Sequence, residues 1–231
     1  MDILFSHVSI VTMDERMSVW VDAFLGVTDG KIAYIGKNAP EEKPERILDG
    51  AGMVLMPGLV NCHTHLPMSL LRGYGEELPL SEWLSRSIFP QEERMDARSV
   101  KAAALLSIAE CLRFGVTSVS DMYFCSNAVA EAVAESGIKA NLCHAVTTDR
   151  TDDFDPDTDP DFREAEALHD KWHGYDGGRI RIDCGIHAEY TSTYPAWEAL
   201  SKYALENGLG MQLHLSETKQ EQEDCEERSG L

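Results

Sequence analysis

The first fifty-odd residues carry apolar side chains in short runs broken by turns, with no stretch of helical period. Residues 3–13, 24–27, 31–35, 46–49 and 53–56 read as strands, the first rich in β-branched residues. Thr28-Asp29-Gly30 between two of these runs predicts a hairpin, because Asp-Gly suits the positive φ angles of a tight two-residue turn. Residues 1–57 are therefore read as one small β unit that ends at Pro57-Gly58. From residue 58 the pattern changes. Apolar strand-like runs at 59–65, 116–122, 139–146, 180–187 and 211–215 alternate with amphipathic stretches at 97–114, 128–136, 162–172 and 196–207. Gly115, Gly137 and Gly208 follow three of these stretches, where helix-ending glycines belong. Continuous apolar strands between helices imply a parallel sheet covered by helices. Five such units fit either a doubly wound sheet or part of a barrel.

Charge narrows the partners. The 231 residues hold 20 Lys and Arg against 40 Asp and Glu, a net charge of −20, which opposes binding to nucleic acid or to an anionic membrane surface. No apolar run approaches the roughly 20 residues of a membrane helix, and the first residues carry no basic leader. Six cysteines without a CxxC pair read as reduced thiols, so the expected location is the cytoplasm. The acidic stretch 149–162 imitates a calcium loop from Asp155 onward. Pro160 stands where that loop needs glycine, so a solvated loop is the better reading.

The candidate chemistry sits at strand ends. In Asn61-Cys62-His63-Thr64-His65 the two histidines are two residues apart, so an extended chain presents both imidazoles to one side. Of eight histidines, five (63, 65, 144, 187 and 214) fall at or near the C-terminal ends of predicted strands, the edge on which parallel α/β folds build sites. His7, His169 and His173 read as ordinary surface residues. His214 is followed three positions later by Glu217, and residues three apart in extended chain face opposite sides. The two can cooperate only if the chain turns after Leu215. With that turn, a third imidazole and a carboxylate suited to proton transfer stand together, as metal-assisted hydrolysis requires.

The run from Pro57 to His65, PGLVNCHTH, followed by GVTSVSDM, GIHAEYTS and MQLHLSET, resembles the amidohydrolase superfamily, in particular its methylthioadenosine and S-adenosylhomocysteine deaminase group. The resemblance implies a (β/α)₈ TIM barrel with a small β-sandwich. Here it covers residues 1–57 as the N-terminal portion of the sandwich and 58–231 as the N-terminal portion of the barrel, about five βα units. It implies one divalent metal, zinc with iron as the alternative, held by His63, His65 and His214, with Glu217 as the proton shuttle. Trp83, Glu92, Arg163 and His187 fall where that group contacts its nucleoside substrate. The implied reaction is hydrolytic deamination of an adenine-type ring by a homo-oligomeric enzyme. The family also uses a later histidine and a later metal-binding aspartate that residues 1–231 do not contain, so the expectation for this chain by itself is no turnover. Other amidohydrolases, such as a guanine or pyrimidine deaminase or a triazine chlorohydrolase, share the scaffold. A metal-binding scaffold without turnover is the reading from another class.

Overall fold

The computed structural model describes residues 1–75, 77–148 and 154–230, so residues 149–153 of the acidic stretch lie outside it. The chain divides into two compact units, Met1–Gly58 and Leu59–Leu231. The first is a single mixed sheet of β1 (Ile3–Val11), β2 (Val19–Thr28), β3 (Lys31–Gly36), β4 (Arg46–Asp49) and β5 (Val54–Leu55). Its order is β3-β2-β1-β4, with β5 also on β1. The β1–β2 and β2–β3 pairs are antiparallel and the others parallel. Thr28 faces Lys31 across the predicted turn, and Asp29 and Gly30 have φ of 50° and 70°, the hairpin geometry expected of Asp-Gly.

Strand β2 starts at Val19, earlier than the pattern suggests. His7 and Asp22 both have positive φ and interrupt the alternation, and a 3.0 Å contact joins their side chains. A bulge shifts which residues face the core, so period-two reading fails across it. Val8, Ile10, Ala23 and Leu25 form the buried side of this sheet.

The second unit alternates strand and helix. Its strands are β6 (Leu59–Thr64), β7 (Val116–Tyr123), β8 (Lys139–His144), β9 (Ile180–Ile182), β10 (Cys184–Ala188) and β11 (Met211–His214). All pair in parallel, in the order β6-β7-β8-β9 and β10-β11. Helices α1 (Ala97–Arg113), α2 (Ser126–Ser136), α3 (Pro160–Trp172), α4 (Tyr194–Asn207) and α5 (Lys219–Ser229) lie between or after them. Val119, Leu142, Ile180 and Ile182 of the strands pack against Val100, Ile108, Val129 and Leu168 of the helices, giving one buried layer between sheet and helices.

Local chemistry sets the helix ends. Asp96 and Ser99 form a reciprocal capping box that starts α1. Asp159 accepts from the Phe162 N–H at 2.8 Å and starts α3 inside the imitated calcium loop. Gly137 and Gly208 close α2 and α4 with φ of 80° and 66°.

The single strand read at 180–187 is two, divided at Asp183, because β9 pairs with β8 and β10 pairs with β11. The Asp183 carboxylate bridges the division. It accepts from the Asn141 amide at 2.5 Å, the Gln212 amide at 3.2 Å and the Gly210 N–H at 3.1 Å. Further helical segments escape the hydrophobic pattern: Leu66–Leu71, the pieces spanning 80–92, Tyr175–Gly178, Glu189–Thr191 and α5. The middle piece, Trp83–Ile88, has π-helical register and is followed by Pro90, which has no N–H to give to the preceding turn. Among the described residues no helix is long and apolar enough to cross a membrane.

Candidate active site

The C-terminal ends of five strands of the second unit open on one cavity of about 250 Å³. β6 brings His63 and the following His65, β7 brings Met122 to Phe124, Ala145 follows β8, β10 brings His187, and β11 brings His214 with Glu217 just beyond. Trp83, Leu84, Ile88, Phe89 and Glu92 wall another side, so the helical pieces after β6 supply most of its apolar surface.

The imidazoles are set by backbone carbonyls. His65 Nδ1 lies 2.6 Å from the Met122 carbonyl and His214 Nδ1 lies 2.6 Å from the His187 carbonyl. A carbonyl can only accept, so each Nδ1 carries the hydrogen and each neutral ring leaves a bare lone pair on Nε2. Those two Nε2 atoms are 3.2 Å apart. Two lone pairs this close repel unless a cation or a proton stands between them. Ligand atoms of His63, His65 and His214 all lie within 4.8 Å of one another. Three imidazole donors, two of them (His65 and His214) with the outer nitrogen tied to a carbonyl, fit a divalent metal of the zinc type. Burial, with His214 and His63 beside it, holds the His65 imidazole below its ordinary pKa and favours the neutral ligand form.

Glu217 reaches the cavity because Ser216 has φ of +52°, a left-handed residue that turns the chain after Leu215. The Glu217 N–H donates to Glu221 at 2.8 Å, and Glu221 receives its own hold from Thr218 at the start of α5. Tyr190 Oη donates to Glu217 at 3.4 Å.

His187 lies beside His214, ring centroids 5.1 Å apart. Its Nδ1 is 2.8 Å from Thr191 Oγ1, which in turn donates to the Ala188 carbonyl. The hydroxyl therefore accepts from Nδ1–H, and Nε2 of His187 is left as an acceptor. Burial, then the neighbouring His214 and His65, push this imidazole down to about 4.

Glu92 accepts a 2.6 Å hydrogen bond from Tyr123 Oη, and burial raises its carboxyl above the usual range. Trp83 Nε1 donates to the Tyr74 carbonyl while its ring lines the cavity.

Two residues named from the sequence stand elsewhere. Arg163 lies on the exposed side of α3, its guanidinium 2.7 Å from Glu166, and does not line the cavity. The resemblance located its place in the chain, whereas the direction of a helical side chain depends on how α3 starts, and Asp159 and Pro160 set that start. His144 is 3% exposed and faces Ser126 Oγ at 3.1 Å and Asp161 at 3.4 Å, so it joins the end of β8 to the starts of α2 and α3. Residues missed by sequence reasoning are Asp121, Tyr123 and Tyr190. Asp121 is fully buried, accepts from the Leu66 N–H at 2.6 Å, and is pushed up to about 7 by burial. A charged residue amid the apolar run of β7 was the available signal.

Parallel strands alternating with helices, with three imidazoles converging at their C-terminal edge, place a candidate metal site where parallel α/β folds build their active sites. Residues 54–230 match the amidohydrolase family, and the chain belongs to that family. A 5-methylthioadenosine/S-adenosylhomocysteine deaminase of Thermoanaerobacter pseudethanolicus is 34% identical over 230 residues, covering 100% of this chain and 53% of the relative. A 5'-deoxyadenosine deaminase of Methanosarcina acetivorans is 34% identical over 99% of this chain and 52% of its own length. Among solved structures, an adenosine deaminase from Xanthomonas campestris with bound zinc superposes with a TM-score of 0.88 at 30% identity, covering 99% of this chain and 52% of the other. The fold is thus of the TIM-barrel type. The chain spans about half the length of the curated relatives it matches.

Proposed function

We propose that this site takes part in the hydrolytic deamination of an adenine-type nucleoside, with the second unit forming part of a (β/α)₈ barrel. The observation that carries the reading is the convergence of His63, His65 and His214 with Glu217 and His187 on one aromatic-walled cavity. The names of the relatives, all adenosine-type deaminases, support the choice of ring. His63, His65 and His214 would hold the metal, and zinc is the ion their nitrogen donors suit best. A divalent ion bound there acidifies water so that a nucleophile is available at neutral pH.

The residues of the chain do the rest. Trp83 and Phe89 offer flat apolar surface for the purine, and His187, neutral and with Nε2 open, accepts from a donor group of the nucleoside. Glu92 accepts another. Glu217 takes a proton released as water adds to the carbon that bears the amino group, and gives it to the adjacent ring nitrogen. The proton of the added hydroxyl, passed to the amino group, lets the C–N bond break and ammonia leave, and the oxygen left behind becomes the ring carbonyl.

Ammonia release from methylthioadenosine, S-adenosylhomocysteine, 5'-deoxyadenosine and adenosine tests the reading, with elemental analysis of the same preparation for zinc and iron. Metal-dependent release from at least one nucleoside is the expected result for residues 1–231 within a chain of the curated relatives' length, and no release is expected from residues 1–231 alone. Release from guanine or a triazine, with none from these four, would overturn it.

A further inference from the structure

Strand β7 ends in Asp121-Met122-Tyr123, and each of these residues fixes a different part of the chain that follows β6. The Asp121 carboxylate holds the Leu66 N–H, the Met122 carbonyl holds His65, and the Tyr123 hydroxyl holds Glu92. The first two set the position of His65 and of the residue after it. The third acts on a residue 31 positions away, across the cavity wall. Tyr123 is itself held firmly: it is 5% exposed and its ring stacks on Phe124 with centroids 4.2 Å apart.

Glu92 has two oxygens, and among the described residues one of them is hydrogen-bonded. Oε1 takes the Tyr123 hydroxyl at 2.6 Å, a length typical of a bond to an ionised carboxylate. A carboxylate with one oxygen saturated by a rigid donor keeps the second as an acceptor of defined direction. Burial favours the protonated form of Glu92, and the Tyr123 bond opposes it. Without the phenol, the carboxyl would lose the donor that fixes its direction, and burial would favour its protonated form unopposed. From this arrangement we propose that Tyr123 is a positioning residue for ligand recognition: it orients Glu92 so that the remaining oxygen accepts from a donor group of the bound nucleoside. The inference rests on the nucleoside reading given above for the identity of the ligand, while the Tyr123–Glu92 bond itself is independent of it.

Two measurements on the metal-loaded protein test the proposal. Infrared difference spectra read the bond without substrate. The carboxylate stretch of Glu92 is the band that Glu92→Gln removes, and Tyr123→Phe should shift it. Steady-state kinetics, with the same substitutions placed in a chain of the curated relatives' length, read the consequence. Tyr123→Phe should raise KM about tenfold, the scale of a lost charge-assisted hydrogen bond, and should raise KM more than it lowers kcat. In a Glu92→Gln background the same substitution should change KM by less than about twofold, because its target is gone. Glu92→Asp withdraws the carboxylate from the phenol by one methylene and should reproduce the Tyr123→Phe shift even if that variant folds poorly. An unmoved carboxylate band, or a full Tyr123→Phe effect in the Glu92→Gln background, would overturn the inference. Absence of nucleoside binding and turnover by the unsubstituted protein would instead remove the functional reading, leaving the infrared result to decide the Tyr123 bond.

Discussion

A histidine ring has two nitrogens, and what each faces decides what it can do. His65 and His214 spend Nδ1 on backbone carbonyls, which points both Nε2 atoms at the same space. Glu217 differs: its backbone is tied to Glu221, while its carboxylate remains on the cavity wall. Its proposed work is proton transfer, so Glu217→Gln should keep the metal and lower turnover by at least about 10²-fold. Elemental analysis beside an ammonia assay checks both halves, and near-normal turnover would place the shuttle elsewhere. Arg163 offers a contrasting test. Paired with Glu166 on exposed helix, it does not line the cavity, so Arg163→Met should alter turnover of S-adenosylhomocysteine and methylthioadenosine alike. A loss confined to S-adenosylhomocysteine, whose amino-acid carboxylate an arginine would clamp, would return Arg163 to the substrate site.

At the scale of elements, the site depends on strand ends held in register. β10 passes so close to the end of β8 that a side chain at Gly185 would overlap the His144 carbonyl oxygen and lie 2.8 Å from Cys143 Sγ. Backbone cannot yield as a flexible side chain can. Gly185→Ala should therefore cost about 1–3 kcal/mol, read as a lower urea midpoint with unchanged slope. Unchanged stability would mean that β10 shifts freely, which its two hydrogen bonds to Val146 oppose. Helix α5 teaches a different lesson. Its sequence, KQEQEDCEERS, has no apolar stripe, so hydrophobic period could not reveal it. The Thr218–Glu221 pair was readable, since Thr three residues before Glu is a helix-start signature, and Thr218 Oγ1 does accept from the Glu221 N–H at 3.1 Å.

For the whole molecule, metal and stability are linked. A metal that binds folded imidazoles stabilises the fold by about 2.7 kcal/mol at a hundredfold excess over Kd. For a chain of this size that corresponds to roughly 5–10 °C in Tm. Chelation of the loaded protein should lower Tm by about that amount, and the double substitution His63→Ala/His65→Ala should abolish the difference along with the bound metal. Equal melting with and without chelator in the unsubstituted protein would count against the three-histidine site. The net charge of −20 gives the measurement a simple control, because added salt screens repulsion among carboxylates and raises Tm in all variants alike.

Much of this organisation could be read before any coordinates. The Asp29-Gly30 turn, the alternation of apolar strands with helices and the glycines after α2 and α4 follow from local preferences that neighbours reinforce. The two-residue spacing of His63 and His65 follows from strand geometry in the same way. Family membership, too, was legible in the PGLVNCHTH run and the motifs after it. Other features needed the folded chain. Whether Glu217 joins His214 turns on one left-handed residue, Ser216, whose conformation no side chain of its own demands. Whether 180–187 is one strand or two depends on which neighbours its two halves find. Tyr123 and Glu92 are 31 residues apart, and only the packing of β7 against the segment after β6 makes them partners. Local sequence sets backbone preference and the direction of side chains along each element. Contacts between distant residues arise only when the elements pack, so the tertiary structure alone decided which strand ends meet at the cavity.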